Sequence, residues 1–347
     1  MKVNYLLFAL ALMLFSCNSD DDQPTGVTVP ETEGVILVGN EGSFMADNAS
    51  LTLVDRGAET ATQNVYASAN DDAELGDVLQ SMYAYQNEIY VVVNNSGKIE
   101  VLDKSNLTSK RTISGMSSPR FMLFESADKA YVTDLYDNGI HIVNPSTGTY
   151  SSLINTGFWI EHMISHNNEI WCSAPNKDKV FFLDAGTQLF TDSLTLSQGV
   201  SDMGMDANND FWIMSQGTWS EPYVEPAIHH VDGDTKALIA SYDFPAGTGF
   251  GGNLAMSGDK QSVIYLLEGK IYKMDITATS LPGNPFIEKS GSWFYTLSVN
   301  GKTGEIAATD ALDFSQAGKV YFYTSGGEEI DNYATGIAPR SVLWLED

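Results

Sequence analysis

A unit of about 40 residues recurs along the chain, and this repeat limits the possible folds more than any other feature. Each copy begins with a polar turn, continues into a short strand with one large aromatic residue, and is followed by a second strand of alternating apolar and polar residues. The aromatic position of successive copies is occupied by Tyr90, Tyr131, Trp171, Trp212 and Tyr265, with Ala307 in a weaker copy. Paired short strands at a regular spacing indicate an all-β repeat architecture.

The two ends of the repeat region complete one another. Near its start, GVILVGN (34–40) and SLTLVD (50–55) form a copy that lacks its first strand. The C-terminal segment APRSVLWLED (338–347) matches SPRFMLFESAD (118–128), which supplies the first strand of the third copy. We therefore predict an all-β fold over residues 34–347, a seven-bladed β-propeller with four-stranded antiparallel blades. It should be closed by pairing the C-terminal strand with the N-terminal blade.

One copy identifies the type of repeat. Tyr131–Asp134, Ile140–Asn144 and Thr147–Gly148 closely resemble successive parts of the YVTN-type propeller repeat, and the other copies resemble it less closely. The resemblance implies a propeller in which the aromatic and β-branched residues pack between blades. These residues indicate the fold and carry no function by themselves.

The first 33 residues differ from the repeats. The apolar run Tyr5–Phe15 leads into LFSC, ending at Cys17, which resembles a bacterial lipobox. The motif implies a lipoprotein signal peptide over residues 1–16 and acylation of Cys17, and residues 17–33 have the composition of a flexible acidic tether. The run Asp20–Asp22 resembles the signal that sends lipoproteins to the outer face of the outer membrane in Bacteroidota. An ordinary secretory signal and a merely solvated tether are the alternatives.

Charge and cysteine content exclude several classes of protein. The formal net charge of −27, from 45 acidic and 18 basic residues, repels phosphate backbones, so nucleic-acid binding is not expected. Cys17 and Cys172 are the two cysteines of the sequence, and acylation of Cys17 leaves no intramolecular disulfide. Cys172 follows Trp171 in an apolar run and is predicted to be an inert core thiol.

The histidines do not have the spacing of a metal site. His162 and His166 lie on a predicted strand, where four residues span about 13 Å, and His229 and His230 point to opposite faces of theirs. The segment Asp206–Asp210 imitates the start of a calcium loop, but it corresponds to the hairpin tip of the other copies. We therefore predict no metal ligands among these residues.

A cluster of acidic residues leaves one alternative open. Asp71, Asp72, Glu74 and Asp77 offer enough carboxylates to hold Ca²⁺, although a solvated connecting loop is the simpler interpretation. The sequence contains no GxSxG, P-loop, CxxC or HExxH motif. Without a pair of nucleophile and base, the chain is predicted not to be an enzyme and to need no cofactor apart from such a Ca²⁺.

Propellers bind partners mainly where the loops between the second and third strands of the blades converge with the connections between blades. In this chain those segments are rich in aromatic and amide residues. The candidate ligand-binding residues are Asn40, Phe44, Asn94, Asn95, Asp134, Tyr136, Asn138, Trp159, Asn176, Gln216, Trp219, Tyr223, Phe250, Trp293, Asp313 and Phe314. The loop at 216–227 is expanded, and two prolines stiffen it. It either presents Trp219 and Tyr223 to a ligand or folds onto the neighbouring blade.

Four charged residues are predicted at the mouth of the channel, because they begin innermost strands. They are Arg120, Glu161, Asp202 and Arg340. These side chains either contact a ligand or neutralise one another as a structural belt.

The lipobox, the acidic tether and the seven repeats together resemble the YncE-like propeller lipoproteins displayed on the surface of Bacteroidota, in particular the BtuG-type family. The resemblance implies capture of cobalamin or another corrinoid by a protein attached to the outer membrane through its lipid anchor, and transfer of the ligand to a TonB-dependent outer-membrane transporter. A broad, amide-rimmed molecule suits a shallow face lined by amides and aromatic rings. The alternatives are a protein- or glycan-interaction module without a small-molecule site, and a Ca²⁺-dependent propeller hydrolase or lactonase.

Overall fold

The computed structural model describes residues 26–218, 220–249 and 251–345, and within them the protein is almost entirely β-structure. Seven antiparallel sheets surround a central channel. The helical elements of the described residues are a short α-helix, α1 (Val65–Ala69), and a 3-10 turn at Asn94–Ser96. Neither is long and apolar enough to cross a membrane. The predicted seven-bladed propeller is confirmed.

Blades 1 to 4 are formed mainly by the first part of the chain. In each of these blades the first strand named lies at the channel and the last lies at the outer edge. Blade 1 contains β27 (Pro339–Trp344), β1 (Val35–Asn40), β2 (Ser50–Asp55) and β3 (Thr60–Thr62). Blade 2 contains β4 (Leu79–Tyr85), β5 (Glu88–Val93), β6 (Lys98–Asp103) and β7 (Ser109–Ser114). Blade 3 contains β8 (Pro119–Ser126), β9 (Lys129–Asp134), β10 (Gly139–Asn144) and β11 (Thr149–Asn155). Blade 4 contains β12 (Met163–His166), β13 (Glu169–Ala174), β14 (Lys179–Asp184) and β15 (Phe190–Thr195).

Three further blades complete the ring. Blade 5 contains β16 (Val200–Met205), β17 (Phe211–Ser215), β18 (Ala227–Val231) and β19 (Leu238–Asp243). Blade 6 contains β20 (Gly251–Met256), β21 (Ser262–Leu267) and β22 (Lys270–Asp275). Blade 7 contains β23 (Phe294–Val299), β24 (Ile306–Asp310), β25 (Ala317–Tyr323) and β26 (Glu329–Ile337).

Blade 6 has an abbreviated fourth strand. An isolated antiparallel bridge joins Ile271 of β22 to Ile287, with both backbone hydrogen bonds at 3.0 Å. Pro282 and Pro285 precede this bridge, and a proline cannot donate to a ladder. The position of the fourth strand is therefore occupied by a single bridge in place of a continuous strand.

The chain closes the ring as the sequence predicts. Strand β27 pairs antiparallel with β1, from Ile36 opposite Trp344 to Asn40 opposite Pro339. Trp344 is buried and donates from Nε1 to the Ser298 hydroxyl of blade 7 at 3.0 Å. The closing strand thus covers the inner edge of blade 1 and also contacts the neighbouring blade, which holds the two ends of the domain together without a disulfide.

The aromatic residues of the repeat form the contacts between blades. Trp171 stacks on Phe211 of blade 5 with ring centroids 3.8 Å apart, and Tyr90 packs edge-on against Phe124 of blade 3 at 4.9 Å. All five repeat aromatics are at most 2% exposed, so their burial contributes to inter-blade packing. Cys172 is buried beside them, and burial raises the pKa of its thiol, as expected for an inert core cysteine.

Candidate functional site

One face of the propeller carries the segments that the sequence indicates as binding loops. It contains the turns between the second and third strands of the blades and the connections between consecutive blades, and we call it the loop face. The turns are residues 41–49, 94–97, 135–138, 175–178, 216–226, 268–269 and 311–316. Because strand direction alternates within each blade, these segments emerge on the same side.

Large apolar side chains are exposed on the loop face. Their exposed fraction ranges from 43% for Leu312 to 76% for Met45. We call the set the apolar rim, and it consists of Phe44, Met45, Tyr136, Tyr223, Trp293, Leu312 and Phe314. Several other exposed apolar side chains, such as Leu189 and Ile239, lie on outer strands or turns away from the channel. Exposed apolar groups gathered on one face mark an interaction surface.

A cavity of about 420 Å³ occupies the channel at this face. It is lined by the innermost strands of six blades, by the residues just before the innermost strand of blade 4, and by Gln216 of the blade 5 loop. Its polar lining includes Gln80, Glu161, His162, Asp202, Asn253 and Arg340. The cavity is open and polar, in contrast to the dry interfaces between blades.

Arg120 and Glu161 form one side of the channel mouth. The Arg120 guanidinium makes a bidentate ion pair with Glu161, in which Nε lies 3.0 Å from Oε2, and it also donates to Gln80 Oε1 at 2.8 Å. The indole of Trp159 donates to the same Glu161 oxygen at 2.8 Å. Bidentate geometry makes this the best-defined ion pair of the mouth.

Arg340 forms a second group across the channel. Its Nη1 donates to Glu41 Oε1 at 2.8 Å and to the Tyr295 hydroxyl at 2.7 Å, and that hydroxyl donates to Glu41 at 3.0 Å. Burial raises the pKa of Tyr295, so its hydroxyl keeps its proton. Phe314 of the apolar rim packs edge-on against Tyr295 at 5.0 Å.

Asp202 has partners on two neighbouring blades. It accepts the Leu254 N–H of blade 6 at 3.0 Å, and its Oδ1 lies 3.6 Å from His162 Nδ1 of blade 4. All four charged residues predicted at the mouth thus have partners within the protein. Three of them, Glu161, Asp202 and Arg340, also line the cavity.

Three predicted ligand-binding residues are buried and hold the loops in place. Asn40 donates to the Thr52 hydroxyl at 3.1 Å, and Asn94 donates to the Pro119 carbonyl at 3.0 Å. The carboxylate of Asp134 accepts four backbone N–H groups, two from its own turn and two from the connection that precedes the blade. These side chains position the loop face and have little surface of their own to offer a ligand.

The remaining polar candidates lie closer to solvent. The side chains of Asn138 and Asn176 are exposed, and Gln216 lines the cavity. Asn95 donates to a carboxylate beneath the loop face at 2.6 Å, and Asp313 accepts N–H groups of its own turn. The amides free to meet a ligand are therefore fewer than the sequence suggests.

Of the two aromatic residues predicted to project from the expanded blade 5 loop, the structure describes Tyr223. Trp219 and Phe250 lie outside the described residues. Tyr223 belongs to the apolar rim, and the loop around it is braced by the Thr218 hydroxyl, which donates to the Pro222 carbonyl and accepts the Val224 N–H, each at 2.9 Å. The loop thus presents Tyr223 outward from a hydrogen-bonded turn.

The acidic segment before blade 2 contains one buried carboxylate. Asp77 Oδ2 accepts the Met45 N–H at 2.8 Å and the Asn95 amide at 2.6 Å, which ties two loop-face turns together. In the described part of the chain, its acidic neighbours do not join it in a group of three carboxylates within 4.8 Å of one another.

Two groups of potential metal ligands do occur among residues 26–218, 220–249 and 251–345, each with its ligand atoms within 4.8 Å of one another. The blade 3 cluster on the loop face consists of Asp134, Asp137 and His141. The blade 5 cluster on the opposite face consists of Asp206, Asp210 and His230. As metal-ligand groups, neither was predicted from the sequence.

The pairing register of strands β9 and β10 could have revealed the blade 3 cluster from the sequence. In the β9–β10 ladder Asp134 lies opposite Gly139, and His141 lies opposite Val132. Residues in that diagonal relation share one side of the sheet. Pairing the strands of the hairpin, in addition to searching for short linear motifs, would have brought His141 together with Asp134.

A second cavity, with a volume of about 860 Å³, lies on the opposite face. It lies between residues 29–35, which include the end of the predicted tether, and the turns of blades 1, 2 and 7. Val29 is buried there and donates its N–H to the Ser105 carbonyl at 2.8 Å. Within the lining, Arg56 is paired with Glu305 at 2.8 Å. We place no ligand in this cavity.

Solved structures resemble the protein in fold, whereas no curated protein shows significant similarity in sequence. A quinonprotein alcohol dehydrogenase-like protein of Bacteroides thetaiotaomicron superposes with a TM-score of 0.71 at 15% identity, covering 90% of this chain and 78% of that one. A protein from Lactobacillus plantarum superposes at 0.66 and 12% identity, covering 90% and 99%. The WD40 domain of Neurospora crassa Pan2 reaches 0.59 at 14% identity, covering 84% and 88%. At these identities the likeness shows the propeller fold alone.

A family match comes from the sequence. Residues 33–336 match the family described as a domain of unknown function, DUF5074. The matched segment contains all strands from β1 to β25 and nearly all of β26, and therefore most of the propeller. The chain belongs to the DUF5074 family.

Proposed function

We propose that this protein captures a scarce nutrient on its loop face at the cell surface, that the nutrient is cobalamin or another corrinoid, and that it is passed to a TonB-dependent outer-membrane transporter. The observation that carries the proposal is the apolar rim. Its seven large side chains are exposed on the loop face. Leaving such groups in water is unfavourable, and covering them with a ligand or partner recovers that free energy.

The shape of the face suits a broad ligand. The channel cavity of about 420 Å³ is small for a corrinoid, so such a ligand would lie across the mouth, against the rim. Exposed amides at Asn138 and Asn176 can exchange hydrogen bonds with the amide groups of a corrin periphery. The choice of a corrinoid itself rests on the resemblance to the BtuG-type lipoproteins.

The proposed location depends on Cys17, which lies outside the described residues. Acylation there would anchor the protein in the outer membrane, and the acidic tether would allow the propeller to reach a transporter. Replacing Cys17 by Ser should release the protein from the membrane fraction and abolish labelling by radioactive palmitate. Loss of the wild-type protein after protease treatment of intact cells would support surface exposure, whereas full protection would contradict it.

Ligand capture is tested by titrating the protein with cyanocobalamin in a calorimeter. We expect saturable binding at micromolar protein, weakened at least tenfold by Trp293→Ser. Trp293 lies over the turn at Gly269, where a Cβ would be only 2.5 Å from the indole, so its position is set before binding. Leu189→Ser is the matched control, because Leu189 is 67% exposed and Trp293 65%, and Leu189 lies on the opposite face.

Absence of binding heat from a folded protein would overturn the corrinoid proposal. Equal weakening by both substitutions would contradict the assignment to the loop face. If the protein co-purifies with a TonB-dependent transporter but does not bind cyanocobalamin, the apolar rim is a protein-docking surface, the main alternative function.

A further inference from the structure

The blade 3 cluster supports an inference that does not depend on the proposed ligand. We propose that Asp134, Asp137 and His141 bind a divalent transition-metal ion, of which Zn²⁺ is the representative, on the loop face. The observation that motivates the proposal is the state of His141. Its side chain is only 1% exposed. Nδ1 has no hydrogen-bond partner, and Nε2 faces two carboxylates without a well-directed hydrogen bond to either. A buried polar group without a partner is costly and rare, and a missing ion is one of its recognised explanations.

The Nε2 side of the His141 ring faces the carboxylates. His141 Nε2 lies 3.0 Å from Asp137 Oδ2 and 3.4 Å from Asp134 Oδ2. Two ligands at the usual distance of about 2.0–2.1 Å from a tetrahedral zinc ion are about 3.3 Å apart. The observed separations lie on either side of that value, so a single ion can contact all three side chains after small shifts.

The charge of the cluster favours a cation. Two carboxylates face one imidazole, and no Lys or Arg of the described residues lies within 4.0 Å of either carboxylate. Backbone N–H groups at Ser117 and Ser118 orient the carboxylates through hydrogen bonds. Such outer contacts are the usual means of holding a metal-binding carboxylate in place.

The ligand types select among metals. Ca²⁺ and Mg²⁺ prefer all-oxygen sites, whereas imidazole together with carboxylates suits zinc and its first-row neighbours. Three protein ligands also leave a tetrahedral ion with one open position. The Asp137 side chain is 27% exposed, which provides a route from solvent and places the open position on the loop face.

The blade 5 cluster contains the same residue types, but its histidine has a hydrogen-bond partner and a stacking partner. His230 hydrogen-bonds Asp210 at 3.3 Å, and Asp206 Oδ2 accepts the Trp212 indole N–H at 3.0 Å. Because His230 is already hydrogen-bonded to a carboxylate and stacked on Trp212, we expect this cluster to bind zinc more weakly. It therefore serves as an internal control.

The test uses the purified protein after treatment with a chelator, dialysed against micromolar ZnCl₂ and analysed for bound metal. We expect one zinc ion per chain, held at least tenfold more weakly in Asp137→Asn and His141→Gln, and unchanged in Asp210→Asn. Asp137 lies on an exposed turn, so Asp137→Asn keeps the test valid if His141→Gln fails to fold. With Co²⁺ in place of zinc, a visible absorption band should appear and change in both blade 3 variants.

Three results would overturn the proposal. They are the absence of stoichiometric zinc binding, binding that both blade 3 variants retain in full, and loss of the ion to equimolar Ca²⁺. The first would show that His141 is simply held between two aspartates as an ion pair. None of these results bears on cyanocobalamin binding, so the two proposals fail independently.

Discussion

The blade 3 and blade 5 clusters have the same residue types, one histidine and two aspartates, but the surrounding chain treats them differently. In blade 5 the indole of Trp212 donates to Asp206 and stacks on His230 with ring centroids 4.2 Å apart. In blade 3 the imidazole of His141 is more deeply buried and has an aromatic neighbour only edge-on, Tyr150 at 5.4 Å. Its Nδ1 has no hydrogen-bond partner, and its Nε2 faces two carboxylates.

Residue types alone therefore do not decide whether such a cluster has a structural or a binding role. The blade 5 cluster lies beside a repeat aromatic, Trp212, whose indole bonds to the carboxylate and stacks on the histidine. The blade 3 cluster lies at the loop end of its hairpin, where backbone N–H groups and the Ser117 hydroxyl support its carboxylates. The first is part of the packing between strands, and the second is the one that we propose binds an ion.

The largest change in stability is expected from Trp212→Ala, which removes the aromatic residue that supports the blade 5 cluster. The side chain is fully buried, so its removal creates a cavity and leaves Asp206 without its donor, at a cost of about 3–5 kcal/mol in the free energy of unfolding. Denaturant unfolding measures this directly. Trp293→Ala is the control, since an exposed tryptophan should change stability by no more than about 0.5 kcal/mol. Similar values for both substitutions would contradict a structural role for Trp212.

The next effect concerns a histidine of blade 5 that is buried but partnered. His229 lies between the hydroxyls of Ser215 and Ser241, at 3.0 and 2.8 Å, and burial lowers the pKa of its imidazole from 6.5 to about 4. The unfolded chain therefore takes up a proton first as pH falls. This contribution to stability is fully present above pH 6.5 and is lost progressively down to about pH 4, by up to about 3 kcal/mol.

Denaturant unfolding between pH 7.5 and pH 4 checks this expectation. His229→Gln should show a smaller loss of stability over that range, because the carboxylates titrate in both proteins and only the histidine differs. Identical pH profiles would show that His229 does not contribute. His141 of blade 3 has no such hydroxyl partners, so the experiment measures what a buried histidine with hydroxyl partners contributes to stability.

A smaller loss is expected from Asp134→Ala in the blade 3 cluster. Burial acts to raise the pKa of this carboxyl, but His141 and the backbone donors outweigh it and keep the pKa below its ordinary value. Without the carboxylate, four backbone N–H groups lose their acceptor, which should cost about 2 kcal/mol. Asp137→Asn, on the exposed turn, should cost less than about 0.5 kcal/mol. An equal cost at both positions in denaturant unfolding would contradict the distinction between a buried carboxylate that anchors the turn and a more exposed one that does not.

Much of the fold could be read from the sequence, because the repeat is a local pattern. The match between Pro339-Arg340 and Pro119-Arg120 predicted the closing strand, and Trp171 and its equivalents marked the packing between blades. The abbreviated strand of blade 6 was missed, although Pro282 and Pro285 already argue against a continuous ladder.

The candidate site was less predictable. Asn40 and Asn94 have the residue type of ligand contacts, yet their amides are buried in bonds to neighbouring segments. Arg120 and Arg340 are held by partners 40 to 299 residues away in sequence. Whether a polar side chain is free or occupied depends on such distant partners, and a linear pattern does not show them.

By itself the sequence determined the seven-fold β repeat, the join between its two ends and the segments that form the loop face, because each follows from short-range alternation and spacing. The tertiary structure shows which of those side chains reach solvent, which brace the loops, and that the buried ring of His141 meets two carboxylates. The reason is physical: the burial and pairing of a polar group are set by neighbours from other strands and blades, which come together only when the ring closes.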